Sequence, residues 1–169
     1  YISKERIQDE LNKILISPNP DKGIRLIEWT GLSKYIIPEW NSLIGVTQNK
    51  YHDKTVDKHI LDVVRGVPAD LKTRLIAMFH DIGKAKTREV IDDEIHFYRH
   101  EEIGANMAAD IMKRLKYPTD IIRAVKLGVE NHMRLKGSGI QGEIISDKAL
   151  RKLRLDLGDH LEQILDVMH

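Results

Sequence analysis

An imidazole followed directly by a carboxylate, His80-Asp81, sits in the run Met78-Phe79-His80-Asp81-Ile82-Gly83-Lys84. Three more histidines flank it at helix-sized separations. His59 lies in Thr55-Val56-Asp57-Lys58-His59, His100 in Phe97-Tyr98-Arg99-His100-Glu101-Glu102-Ile103-Gly104-Ala105, and His132 in Val129-Glu130-Asn131-His132-Met133-Arg134. A neighbouring imidazole and carboxylate can grip one divalent cation from a single turn of chain, and the other histidines can complete one or two such sites. Cations held this way activate water for attack on phosphorus, so these residues point to hydrolysis of a phosphate ester.

Spacing puts all four histidines on inward faces. His59 is three after Val56 and four before Val63, and His80 is four after Ile76. His100 is three before Ile103, and His132 is three after Val129. Residues three and four apart share a helix face, so these rings face the core. A lone inward histidine is most often a satisfied core hydrogen-bonder. Four of them with Asp81 are harder to bury without a shared partner, and one cation can accept lone pairs from several neutral rings. The remaining histidines carry less. His52 is either a bystander or a partner of a ligand, His96 reads as a hairpin surface residue and His160 as structural, and His169 says nothing.

Mixed imidazole and carboxylate ligation favours Mn, Fe, Co, Ni or Zn over calcium, which prefers oxygen cages. H-E-x-x-H, C-x-x-C and G-x-x-x-x-G-K-[ST] are absent, so the common metalloprotease, zinc-finger and P-loop readings fail.

The elements that must hold these residues are helices. Ser3 can cap a first helix with the stripe Ile7, Leu11, Ile14 and Leu15. Asn19-Pro20 opens a short second helix through Ile24, Leu26 and Ile27. Gly31 and Pro38 punctuate the next stretch, and residues 45–53 read as loop. Val56, Ile60, Val63 and Val64 mark a helix ending near Gly66-Val67-Pro68, and the next runs from about Ala69 to Ile82, with Gly83 as its stop. Val90-Ile91, Asp92-Asp93-Glu94 and Ile95-His96-Phe97 read as a small β-hairpin. Ile103 to Leu115 and the stretch from Pro118 through Val129 are two further helices, Gly137-Ser138-Gly139 is a loop, and residues 146–157 and 159–168 are expected to be two last helices. The expected class is all-α with one small β-hairpin.

The 169 residues fit one unit with a real core, 41% hydrophobic but only 5% aromatic, so aliphatic side chains must fill it. Net charge is +1, which neither demands nor excludes a nucleic-acid partner. With no cysteine there is no disulfide, thiolate metal site or cysteine nucleophile, which fits a reducing cytoplasm. No apolar run approaches the ~20 residues that span a bilayer. Beginning at Tyr1 rather than Met, and ending inside Leu165-Asp166-Val167-Met168-His169, the chain is expected to be a piece of a longer protein.

These motifs resemble the HD-domain superfamily of metal-dependent phosphohydrolases, and within it the HD domain of bacterial CCA-adding tRNA nucleotidyltransferases and their poly(A)-polymerase-like relatives. The resemblance rests on Y-H-D-K-T-V-D-K-H, H-D-I-G-K and R-H-E-E-I-G-A in that order, and on S-K-E-R-I-Q-D-E-L-N-K-I-L (Ser3–Leu15) and L-I-E-W-T-G-L-S-K-Y-I-I-P-E-W (Leu26–Trp40). It implies an HD helical bundle over 46–169 behind a helical lead-in over 1–45. It implies one of two modes: a single cation on His59, His80, Asp81 and a last aspartate, or two cations, with Asp81 shared and His100 and His132 completing the second site. The superfamily's last ligand is an aspartate on a late helix, expected just past residue 169, with Asp166 the nearest carboxylate. The Gly-Ser motif and paired aspartates of a nucleotidyltransferase head are not in the sequence, so this chain alone is expected not to add nucleotides.

Two functions stay open. In the first the chain is a hydrolase of nucleotide or RNA-end phosphate esters, of phosphatase or 2′,3′-cyclic phosphodiesterase type. It would use Mn, Ni, Co, Fe or Mg, and Asp81 and Lys84 would act at the reacting phosphate. Lys84 there neutralises charge, or it is only a helix C-terminal lysine. Arg99 reaches the phosphate or is merely solvated. In the second the chain is a tRNA-binding platform, with Lys113-Arg114-Leu115-Lys116, Arg134-Leu135-Lys136 and Arg151-Lys152-Leu153-Arg154 on RNA phosphates. A packing or dimerisation role would need an exposed apolar patch.

Overall fold

The computed structural model describes residues 2–49, 53–137, 155, 158–160 and 166–167. The described chain is helical with one hairpin. The elements are α1 (Lys4–Ile16), α2 (Pro20–Trp29), α3 (Ser33–Ile36), α4 (Pro38–Asn41), α5 (Val56–Gly66), α6 (Leu71–Phe79), α7 (Lys84–Thr87), β1 (Arg88–Ile91), β2 (Glu94–Phe97), α8 (His100–Arg114) and α9 (Thr119–Gly137), with a 3₁₀ turn at Gly158–His160. His52, the loop at Ser138-Gly139 and most of the two expected last helices lie outside the described residues.

Local chemistry starts these helices. Ser3 Oγ accepts from the Arg6 amide at 3.2 Å, and Asp70 accepts from the Thr73 amide at 3.0 Å and its hydroxyl at 2.9 Å. Pro20 takes the first position of α2, where its missing N–H costs nothing. The hairpin pairs Arg88 with Phe97 through Ile91 with Glu94, so its turn is Asp92-Asp93, both at positive φ, one residue tighter than expected.

Two expectations are corrected. The helix expected to reach Ile82 ends at Phe79. His80 still closes an α-type bond to Ile76, but Ile82 then bonds to Phe79 and Lys84 to Asp81, so the chain passes through tight three-residue turns. Gly83 does not stop the chain there, because α7 follows it at once. The described residues in and beside the expected 45–53 loop pair with one another. Thr47 bridges Thr55, Gln48 donates to the Lys54 carbonyl at 3.0 Å and Val56 to the Val46 carbonyl at 2.8 Å.

One core joins the whole. Leu11, Leu15, Ile24, Trp40 and Leu43 of the lead-in share a buried cluster with Val56, Ile60, Leu75, Phe79, Ile111 and Val129. Polar bonds reinforce the seam. Arg74, only 5% exposed, donates to the carbonyls of Leu15, Ser17 and Val67. Arg25 reaches Asp57 at 2.8 Å, and Arg114 forks onto both oxygens of Glu39 at 2.9 Å each. Two glycines let backbones close in. A Cβ on Gly83 would stand 2.6 Å from the His100 carbonyl oxygen, and one on Gly128 would strike the Ile76 side chain. No helix among the described residues is long and apolar enough to cross a membrane.

Candidate metal centre

The centre forms where four helices meet. His59 comes from the second turn of α5. His80 caps α6, and the tight turn after it presents Asp81 beside the same ring. His100 opens α8 behind Arg99, which takes a left-handed conformation at φ 63. His132 comes from α9, the long helix that lies along α8 and α6. The close approach at Gly83 brings the start of α8 against the turn that carries Asp81.

The four rings divide between the two oxygens of one carboxylate. Asp81 Oδ2 lies 3.2 Å from His59 Nε2, 3.2 Å from His80 Nε2 and 3.1 Å from Lys84 Nζ. Asp81 Oδ1 lies 3.2 Å from His100 Nε2 and 3.6 Å from His132 Nε2. The rings also approach in pairs, His59 to His80 at 3.4 Å and His100 to His132 at 3.2 Å between Nε2 atoms. His80, Asp81, His100 and His132 are buried, while the His59 side chain keeps 25% of its surface.

Hydrogen bonds behind the rings fix which nitrogen carries the proton. His80 Nδ1 faces the Ala77 carbonyl, His100 Nδ1 the Phe97 carbonyl and His132 Nδ1 the Val129 carbonyl. A carbonyl only accepts, so each Nδ1 donates and each Nε2 faces inward, able to present its lone pair to a cation. Inward lone pairs 3.2 Å apart, beside a carboxylate, repel one another unless a positive charge sits among them. Further protonation is a poor source of that charge. Burial pushes the His132 pKa down against the pull of Asp81. At His59 the hydrogen bond to Asp81 favours the proton, yet burial and the His80 and Lys84 charges lower the pKa. Burial also opposes the charge on Asp81, but the facing imidazoles hold its carboxyl well below the usual range. A buried carboxylate with a histidine pair on each oxygen suits a divalent cation. Two groups have the needed convergence, His59 with His80 and Asp81, and Asp81 with His100 and His132, with ligand atoms within 4.8 Å in each.

Arg99 and Asp166 stand outside both groups. Arg99 is exposed and forks onto Glu102, with both bonds at 3.0 Å. Asp166 lies in neither group, and its neighbour Val167 is buried in the core. Lys84 does join, held by Asp81, by the Gln48 amide oxygen at 2.7 Å and over the Phe97 ring at 4.9 Å. Gln48 was invisible to spacing arguments, since a lone polar residue in a loop has no period to betray it.

Residues 1–44 match the family described as "Probable RNA and SrmB- binding site of polymerase A", and residues 56–169 match the HD domain. The chain is 34% identical over 139 residues to the CC-adding tRNA nucleotidyltransferase of Thermus thermophilus, covering 78% of this chain and 32% of that protein. It is 35% identical over 137 residues to the A-adding tRNA nucleotidyltransferase of Deinococcus radiodurans, covering 76% and 31%. With the multifunctional CCA protein of an Azoarcus species it shares 32% identity over 125 residues, covering 71% and 30%. The chain thus spans about a third of the length of these relatives. With more than half of its residues matched, and a histidine–aspartate centre where four helices meet, the chain belongs to the HD-domain family.

Proposed function

We propose that this chain is a metal-dependent phosphohydrolase domain of a tRNA nucleotidyltransferase-related protein, acting on nucleotide or RNA-end phosphate esters. The supporting observation is one buried carboxylate, Asp81, with a histidine pair on each oxygen. His59, His80 and Asp81 would hold one divalent cation, and Asp81, His100 and His132 a second, with Mn, Ni, Co, Fe and Mg as candidates. Bound there, a cation supplies Lewis acidity toward a phosphoryl oxygen and makes a coordinated water more acidic. The chain's own contribution is geometric and electrostatic. Backbone carbonyls lock three rings in one tautomer, and the buried walls exclude bulk water. The Lys84 ammonium lies where charge on a phosphate's free oxygens would grow. The division into a lead-in over 1–45 and an HD domain over 46–169, with a cytoplasmic setting, belongs to the same proposal.

The test is hydrolysis of bis-p-nitrophenyl phosphate and 2′,3′-cAMP with Mn, Ni, Co or Mg, then with EDTA. Turnover should require a cation and vanish in Asp81→Ala. Absence of turnover with every cation would sink the reading.

A second reading is favoured by the match of residues 1–44 to an RNA-binding family and by the tRNA enzymes among the relatives. Here the chain is a tRNA platform. Trp29 and Tyr35, 88% and 82% exposed, offer ring faces for unpaired bases. In the cluster at residues 113–116, Lys113 and Lys116 face solvent, but Arg114 is committed to Glu39. The side chains of 134–136 and residues 151–154 lie outside the described residues. A platform binds tRNA in EDTA with an affinity that falls steeply with salt. A flat salt dependence would argue against it.

A further inference from the structure

Lys84 carries a full charge on a flexible four-carbon stem, yet only 9% of its side chain is exposed. Its ammonium touches the carboxylate that the histidines share, at 3.1 Å from Asp81 Oδ2, and a second acceptor holds it as well. Gln48 Oε1 takes a hydrogen bond from Lys84 Nζ at 2.7 Å, shorter than the 3.1 Å to Asp81 Oδ2. Gln48 is itself held. Its backbone amide donates to the Lys54 carbonyl, its neighbour Thr47 bridges Thr55, and Arg88 clamps Thr47 through Nη2 to Oγ1 at 2.7 Å and Nε to the carbonyl at 3.2 Å. Arg88 stands one turn beyond Lys84, so the same short stretch grips the loop twice. Thr55 also precedes α5, and its carbonyl accepts from the His59 amide at 3.0 Å. The Gln48 loop and His59, the most exposed of the four rings at 25%, are therefore tied to one stretch of chain, Thr47 and Gln48 against Lys54 and Thr55.

We propose that Gln48 is a positioning residue. Its amide oxygen holds the Lys84 ammonium between Asp81 and the Gln48 loop, where a substrate phosphate would meet it. The consequence for turnover rests on the phosphohydrolase reading; the placement of Lys84 does not.

Two variants separate the amide oxygen from the loop. Gln48→Met keeps length and packing but removes the strong acceptor, whereas Gln48→Glu keeps an acceptor in place. The first readout is acetylation of the intact chain with acetic anhydride, followed residue by residue by mass spectrometry. In the wild type Lys84 should react more slowly than exposed Lys34 and Lys116. Gln48→Met should raise the Lys84 rate several-fold, and Gln48→Glu should restore protection. The second readout is kinetic. Gln48→Met should lower kcat for bis-p-nitrophenyl phosphate about tenfold, with the cation concentration for half-activity unchanged. A loop that had merely lost its shape would displace His59 and shift the cation requirement.

Wild-type Lys84 protection in Gln48→Met overturns the proposal, as does equal exposure of Lys84 in both variants. So does a Lys84 that already reacts as fast as Lys34 in the wild type, a result that needs no variant to fold. If the wild type hydrolyses nothing with any cation, the phosphohydrolase reading fails, and the acetylation rates still decide the role of Gln48.

Discussion

Asp81 is the one acid common to both histidine pairs, so substitutions around it should sort by side. His132→Ala removes a ligand from the Oδ1 group only, and His59→Ala from the Oδ2 group only. Equilibrium dialysis against Co²⁺ should show one cation bound in place of two in each variant. Asp81→Ala should weaken both by on the order of 100-fold or more. If His132→Ala and His59→Ala each abolished all binding, the five residues would hold a single shared cation. The convergence of these five residues is largely legible in the sequence. Histidines recurring at helical spacing from apolar residues must face inward, and His59, His80, His100 and His132 all do. For Arg99, which adjacency to His100 left open between phosphate and solvent, the exposed alternative holds: a left-handed residue at the helix start, it forks onto Glu102. Gln48 shows the limit of spacing, because a contact spanning 36 residues between a loop and a short helix leaves no periodic trace.

At the level of elements, periodicity located α1, α2, α5, α8, α9 and the hairpin, since each buries one stripe against the core. It failed at the end of α6. An apolar pattern continuing through Ile82 reads as helix, yet the tight turns at 80–84 answer to a tertiary demand: His80 and Asp81 must face the same rings. Gly83 serves that turn. A methyl group there meets two backbone atoms, the His100 oxygen at 2.6 Å and the Gly104 nitrogen at 2.8 Å, neither of which can rotate away. At Gly128 the obstacle is a side chain, Ile76. Gly83→Ala should therefore cost about 2–3 kcal/mol and Gly128→Ala less, read as midpoints of urea unfolding. Gly83→Ala should also weaken cation binding by moving His100 from Asp81. Equal stability in the two variants would mean that α8 slides freely over the turn.

Among the described residues, the segment matched at 1–44 and the one matched from 56 onward share one core and a set of charges that cross between them. Burial opposes ionisation of Asp57, but Thr55, Arg25 and the Gly45 amide more than offset it and lower its pKa. Burial likewise opposes charge on Glu39, and Arg114 outweighs it. Each carboxyl gives up its proton more readily folded than unfolded. Its stabilising share is whole above the ordinary values, 3.8 for Asp57 and 4.5 for Glu39, and is lost as pH falls through the lowered folded values. The urea midpoint should fall with pH below about 4.5, and less steeply in Asp57→Asn; an unchanged slope would show that Asp57 titrates alike in both states.

Arg25, Arg74 and Arg114 each keep their head group on one side of the seam and their partner on the other. A foreign HD half lacking Asp57, Arg74 and Arg114 would leave Arg25 with Glu28 alone and Glu39 facing no arginine, while the carbonyls of Leu15 and Ser17 would lose their donor. A half exchanged for a foreign one must therefore carry the matching groups, and a substitution at any of these arginines opens the way for a matching change across the seam.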